Sequence, residues 1–137
     1  MLVQPYLLFE GRCEEALAFY AQAIGAQTVD LLRFKDSPEP PPPDMCPRGS
    51  ENKVMHATFR IGDSTLMASD GRASGRPDCK GFALSLPAAD VAEAERLFAA
   101  IGAGGQVQMP MGPTFFSPAF GMVTDRFGML WMVIVNR

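Results

Sequence analysis

Ala23-Ile24-Gly25-Ala26 and Ala100-Ile101-Gly102-Ala103 are the same four residues in the same order, and their recurrence decides the fold. Each tetrapeptide closes an amphipathic stretch. Each also places glycine just past the expected helix end, where the left-handed backbone that glycine adopts freely is favoured. Before the first copy, Leu17, Tyr20 and Ile24 recur at helical spacing, flanked by Ala16, Phe19 and Ala23, over a helix of about residues 12–24. Before the second, Val91, Ala94, Phe98 and Ile101 form the stripe with Leu97 adjacent, and Asp90 and Glu93 have the spacing of a capping box. A strand-like run follows each tetrapeptide, over residues 27–34 and 105–109.

Working outward, both copies show the same element order. The first opens with an apolar strand at 2–9, broken by Gly11, and ends with strands at 53–61 and 65–69 joined through Gly62-Asp63-Ser64. The second opens with a strand at 80–86, ended by Pro87, and finishes with strands at about 116–124 and 129–135 around the turn Asp125 to Gly128. The expectation is one α/β (α+β) domain over residues 1–137, built from two βαβββ modules at about 1–70 and 80–137. One low-complexity stretch, residues 36–51, interrupts the first module. Its Pro40 to Pro43 favours polyproline II and stays out of a sheet interior. It reads as a surface loop, or as a lid or a strap across a dimer partner.

Composition narrows the function classes. The 137 residues carry a net charge of −3, and no two Lys or Arg are adjacent, which argues against nucleic acid as a partner. No apolar run approaches the roughly 18 residues of a membrane span, and residues 1–5 lack the features of a signal peptide. Cys13, Cys46 and Cys79 are scattered and form no CxxC pair, as expected of free thiols in a reducing cytoplasm. Cys13 falls at a helix start, where the dipole lowers a thiol pKa, while Glu14 and Glu15 act in the opposite sense.

Particular residues carry a closer likeness. They are Pro5-Tyr6-Leu7 and Phe9, then Glu15-Ala16 with Phe19-Tyr20, then the segment from Met55-His56-Ala57 through Ile61-Gly62-Asp63-Ser64 to Ser69-Asp70. Phe120-Gly121-Met122-Val123-Thr124-Asp125, Phe127-Gly128 and Trp131 complete the set. With these the chain resembles the PhnB-like branch of the vicinal-oxygen-chelate superfamily, which includes glyoxalases, bleomycin-resistance proteins and dioxygenases. The resemblance implies curled mixed sheets enclosing a cup, and a homodimer. Relatives also carry a 3-demethylubiquinone methyltransferase label, although no glycine-rich turn of the dinucleotide type follows a strand here.

Metal-dependent members of that superfamily place His or Glu ligands on strands, two per module. Registering the strands by helix and turn landmarks puts Pro5, Met67, Gly81 and Met132 at those places. Pro and Gly offer no donor atom, and thioethers are too soft for the divalent ions concerned. The chain has one histidine. No metal and no cofactor are therefore expected.

Strand alternation sets His56, Thr58 and Arg60 opposite Met55, Ala57, Phe59 and Ile61, and groups Thr65, Met67 and Ser69 on one face. His56, Thr58, Met67, Ser69, Leu7 and Met132 are the expected ligand-binding residues, with Pro5, Phe9, Ala83, Ser85, Leu130 and Ile134 also lining the cup. His56 is the candidate acid/base, or a histidine hydrogen-bonded to Thr or Ser within the sheet. Trp131 alternates into the core, and the methionines of the second module read as adaptable packing. The leading expectation is a cytoplasmic homodimer that binds a small, partly apolar molecule in a metal-free cup, for sequestration or resistance. One alternative is a lyase or isomerase acting on a small oxygen-rich substrate, through His56 or an unexpected metal. The other is a dimeric interaction module without a ligand.

Overall fold

In the computed structural model, residues 1–38, 49, 51–71 and 76–136 are described. Their elements are β1 (Tyr6–Leu8), α1 (Cys13–Ile24), β2 (Gln27–Arg33), β3 (Val54–Ile61), β4 (Ser64–Ser69), β5 (Leu84–Ala88), α2 (Val91–Gly102), β6 (Gln106–Gly112), β7 (Phe120–Thr124) and β8 (Leu130–Val135). This is βαβββ twice, an α+β fold as the repeat predicts. The chain divides into two compact units, Met1–Pro77 and Asp78–Arg137. Each holds one four-stranded mixed sheet, ordered β1-β4-β3-β2 in the first and β5-β8-β7-β6 in the second. In both, the first strand pairs parallel to the last and the remaining pairs are antiparallel. Most of the proline-rich stretch, residues 39–48 and 50, lies outside the described residues, and with it Cys46 and the lid and strap readings.

In the first unit, Leu7, Ala68 and Ala57 are register partners across three strands and all three are buried. Phe9 and Phe59 both approach Tyr20 from α1, with ring centroids 6.1 and 6.4 Å away. Burial of such side chains contributes about 1.5–3 kcal/mol each. It holds α1 against this face and leaves the other face of the sheet for other work.

Asp70 ties these parts together. It is buried, directly after β4, and its two carboxylate oxygens accept the backbone N–H of Cys13 at 2.7 Å and of Val54 at 2.6 Å. One side chain thus satisfies an otherwise unpaired donor in the first turn of α1 and anchors the start of β3. Asp125 does comparable work in the second unit, accepting from the backbone of Phe127 and Met129 and from Trp131 Nε1 at 2.9, 3.0 and 2.9 Å. Trp131 is buried there, as alternation predicts.

Several local expectations are corrected. β1 is three residues long and β5 starts at Leu84, not at 80. Pro87 lies inside β5, opposite Ile134, and Pro110 lies inside β6; both strands are sheet edges, where a missing N–H is tolerated. The two repeat glycines also differ. Gly25 takes the left-handed C-cap at φ 74°, whereas Gly102 remains helical and the left-handed turn passes to Gly104 at φ 79°. Close packing keeps Gly102 small, since a Cβ there would lie 3.0 Å from Val123 Cγ2. The buried stripe of α2 is Ala94, Leu97 and Ile101, while Val91 is exposed. Asp90 caps α2 by accepting from Glu93 N at 2.8 Å.

Asp70→Asn keeps the shape but replaces one acceptor with an amide donor facing a buried N–H. We expect a loss of about 2–3 kcal/mol, roughly 6–12 °C in Tm by thermal denaturation. Asp63→Asn, in the exposed β3–β4 turn, should stay within about 0.5 kcal/mol of the parent.

Candidate functional site

The face of the first sheet away from α1 carries a line of polar groups on an apolar ground. Register places Tyr6 beside Met67, Met67 beside Thr58, and Thr58 beside Asp30, so these four side chains share one face. His56 lies two residues from Thr58 on β3, opposite Leu32. The Tyr6 hydroxyl lies 3.1 Å from His56 Nδ1, and the Thr58 hydroxyl 3.3 Å from His56 Nε2. The Tyr6 and His56 rings are tilted at 41° with centroids 5.6 Å apart. Tyr6 and Leu8 are 43% and 49% exposed, so a hydroxyl–imidazole–hydroxyl chain stands at an accessible apolar surface.

Of the expected ligand-binding residues, the structure brings His56, Thr58 and Met67 onto this face. Leu7 is not on it. It is 2% exposed and points with Phe9 toward α1, because β1 runs in the opposite phase to that expected. Ser69 is buried, and its hydroxyl accepts the backbone N–H of Gly71 at 3.1 Å, closing the turn after β4. Tyr6 and Leu8 take the places expected for Leu7 and Phe9. A signal for this existed: of the run Tyr6-Leu7-Leu8-Phe9, only Tyr6 has a polar tip, which suits the wetter face.

In the second unit, Met132 lies beside Met122 on one side and Ser85 on the other. An open cleft of about 450 Å³ lies in this unit, lined by residues that include Lys80, Phe82, Gln108, Met122, Thr124 and Leu130. Gln108 Nε2 donates to Thr124 Oγ1 at 3.1 Å in its wall.

The residues present do not fit a metal of the superfamily type. The β1 residue opposite Met67 is Tyr6 rather than Pro5, and the β5 residue opposite Met132 is Ser85, since Gly81 precedes the strand. The first unit therefore offers a phenol and a thioether at these positions, and the second a hydroxyl and a thioether, where hard divalent ions take imidazole or carboxylate. Among the described residues, no three His, Cys, Asp or Glu gather in a way that could hold a metal ion.

Cys13 and Cys79 are not poised for chemistry. Burial, followed by the nearby Asp70 and Glu14 charges, pushes the Cys13 thiol up to about 12. Burial outweighs the helix-start effect considered from sequence. Cys79 is also raised, by burial first and then by Asp125 and Asp78.

Two βαβββ units, each with a helix on one sheet face, define the vicinal-oxygen-chelate class of fold. The fold is shared with a glyoxalase-related enzyme from Fulvimarina pelagi at 19% identity and a TM-score of 0.60, covering 99% of this chain and 88% of that one. It is likewise shared with the fosfomycin resistance protein FosX from Listeria monocytogenes, at 12% identity and 0.66, covering 100% and 93%. Within that class, the chain belongs to the PhnB-like family described as 3-demethylubiquinone-9 3-methyltransferase, whose model matches residues 2–134. It is 36% identical to protein YjdN of Escherichia coli K12, over 100% of this chain and 97% of that protein. Protein PA1353 from Pseudomonas aeruginosa is similar in structure at 44% identity and a TM-score of 0.85, over 99% and 98% of the two chains. A PhnB protein from Bacillus cereus follows at 26% and 0.80, over 99% and 100%. Among the described residues, no turn matches the cofactor cradle that the activity in the family description calls for. The strand-to-helix turns are Phe9-Glu10-Gly11-Arg12 and Ala89-Asp90, neither of them glycine-rich.

At pH 8, iodoacetamide should leave Cys13 unmodified in the folded protein and label it after denaturation, as read by peptide mass spectrometry. Labelling of Cys13 in the native state at the rate of a free thiol would contradict its burial.

Proposed function

We propose that the protein binds a small, partly apolar molecule on the open face of its first unit, with Tyr6, His56 and Thr58 as polar contacts and Leu8 and Met67 as the apolar floor. The observation that carries this reading is the hydroxyl–imidazole–hydroxyl chain on a half-exposed face, opposite the face that buries Leu7, Ala57, Phe59 and Ala68. Binding sites typically combine an apolar lining with a few convergent polar groups. In this reading the protein acts as a cytoplasmic homodimer that sequesters its ligand or confers resistance to it, without metal, cofactor, nucleic acid or membrane. The near-complete exposure of Phe115, beside the half-exposed Phe116, supports association. Among the described residues no helix is long and apolar enough to cross a membrane.

One observation favours a second reading, a lyase or isomerase with His56 as acid/base. Both ring nitrogens contact hydroxyls, so a proton arriving at one side of the ring has an exit at the other.

A compound panel followed by NMR should yield at least one saturable ligand that moves the His56 ring and Met67 methyl signals. His56→Ala should weaken it about ten-fold, corresponding to roughly 1.4 kcal/mol, while circular dichroism stays unchanged. Saturable binding that moves neither signal would refute this location. Loss of a measured turnover in His56→Ala with binding retained would favour the enzyme. Light scattering should give a mass of about twice 14.8 kDa.

A further inference from the structure

We propose that the same face is a proton-linked anion site, in which protonated His56 releases the Tyr6 and Thr58 hydroxyls to hold a small organic carboxylate whose apolar body lies on Leu8 and Met67. This rests on the binding reading above and adds two things, the charge of the ligand and the proton taken up with it.

The geometry dictates the coupling. A neutral imidazole has one N–H and one bare nitrogen. With a hydroxyl at 3.1 Å from Nδ1 and another at 3.3 Å from Nε2, one hydroxyl must donate to the ring while the other accepts from it. One hydroxyl hydrogen is then committed inward. An imidazolium donates from both nitrogens, so both hydroxyls accept and both of their hydrogens turn to the open face. Protonation therefore doubles the outward hydroxyl donors and adds a positive charge between them. Charge-assisted hydrogen bonds of this kind favour a carboxylate over a neutral amide of the same shape.

The neighbours in this unit allow that charge to be felt. On β2, Leu32 lies opposite His56 and Asp30 opposite Thr58. On β3, Arg60 follows two residues beyond Thr58, opposite Thr65 of β4. Met67 of β4 and Tyr6 of β1 complete the row. Asp30 and Arg60 are both exposed and opposite in charge. Asp30 opposes an anion on this face and Arg60 attracts one, so their effects offset. Histidine is the residue type that changes charge between about pH 5 and 8.

The sequence makes the test clean, because His56 is the only histidine and gives a single ring C2 proton signal. Benzoate and its neutral counterpart benzamide serve as probes, with the intact protein titrated between pH 5.5 and 8. Saturating benzoate should raise the midpoint of the His56 titration, and benzoate should bind at least about ten-fold more tightly at pH 5.5 than at pH 8, a one-unit linkage. Benzamide should show no such pH dependence. Tyr6→Phe and Thr58→Val should each keep the titration and the circular dichroism spectrum but reduce the benzoate-dependent shift. Equal benzoate affinity at both pH values, with an unmoved midpoint, would overturn the proposal. If benzoate and benzamide perturb His56 alike, the anion inference falls while the binding reading stands. If neither perturbs it at any pH, the anion inference falls, and the binding reading is decided by the compound panel above.

Discussion

The buried carboxylate of Asp70 is the constraint on which the first unit depends. Its oxygens accept from Cys13 N and Val54 N, and so bind the end of β4, the start of α1 and the start of β3 to one side chain. Fixing Val54 sets where β3 begins, two residues before His56. The same carboxylate contributes to keeping Cys13 protonated, second to burial itself. A charged group in the interior is costly unless its lone pairs are met. Here each oxygen meets a backbone donor that would itself be stranded without it. Asp125 follows the same principle with three donors, two from the backbone of its own turn and one from Trp131.

With the helix-facing side of each sheet filled, what the open side carries becomes a matter of residue type. At the paired positions the first unit has Tyr6 and Met67, and the second has Ser85 and Met132. The repeat therefore persists here as a hydroxyl beside a thioether in each unit. Such a pair gives weak polarity and adaptable apolar contact. It suits an organic surface better than a hard cation.

The sequence disclosed the element order because the repeated Ala-Ile-Gly-Ala and the two apolar periodicities are strong signals. The β3–β4 hairpin was legible from Gly62-Asp63-Ser64, and the presence of His56, Thr58 and Met67 together was legible from alternation. The phase of β1 was harder to read, because the Tyr6 hydroxyl is the only polar tip in Tyr6-Leu7-Leu8-Phe9 and an edge strand of three residues offers no second one. The start of β5 was hidden for a related reason. Pro87 reads as a terminator unless the strand is known to be an edge, and edge status is a property of the whole sheet. Gly102 was misassigned because its smallness serves Val123 across the unit, a demand that the tetrapeptide itself does not reveal. Ser69 was placed on the right strand, but its hydroxyl was drawn into a turn that only the backbone path after Ser69 defines.

A histidine on the open face of a vicinal-oxygen-chelate fold invites a metal reading, and its surroundings bear on that reading directly. Ligation uses a bare imidazole nitrogen, and the other nitrogen normally donates to an acceptor that orients the ring. His56 meets a hydroxyl at each nitrogen, Tyr6 at one and Thr58 at the other. A metal would have to displace one of those hydroxyls. A proton displaces nothing. Both hydroxyls simply change from sharing the ring to accepting from it, and the ring stays in place. The cheaper transition for this arrangement is thus a change of protonation, and the group that benefits is one that accepts hydrogen bonds from the hydroxyls it releases.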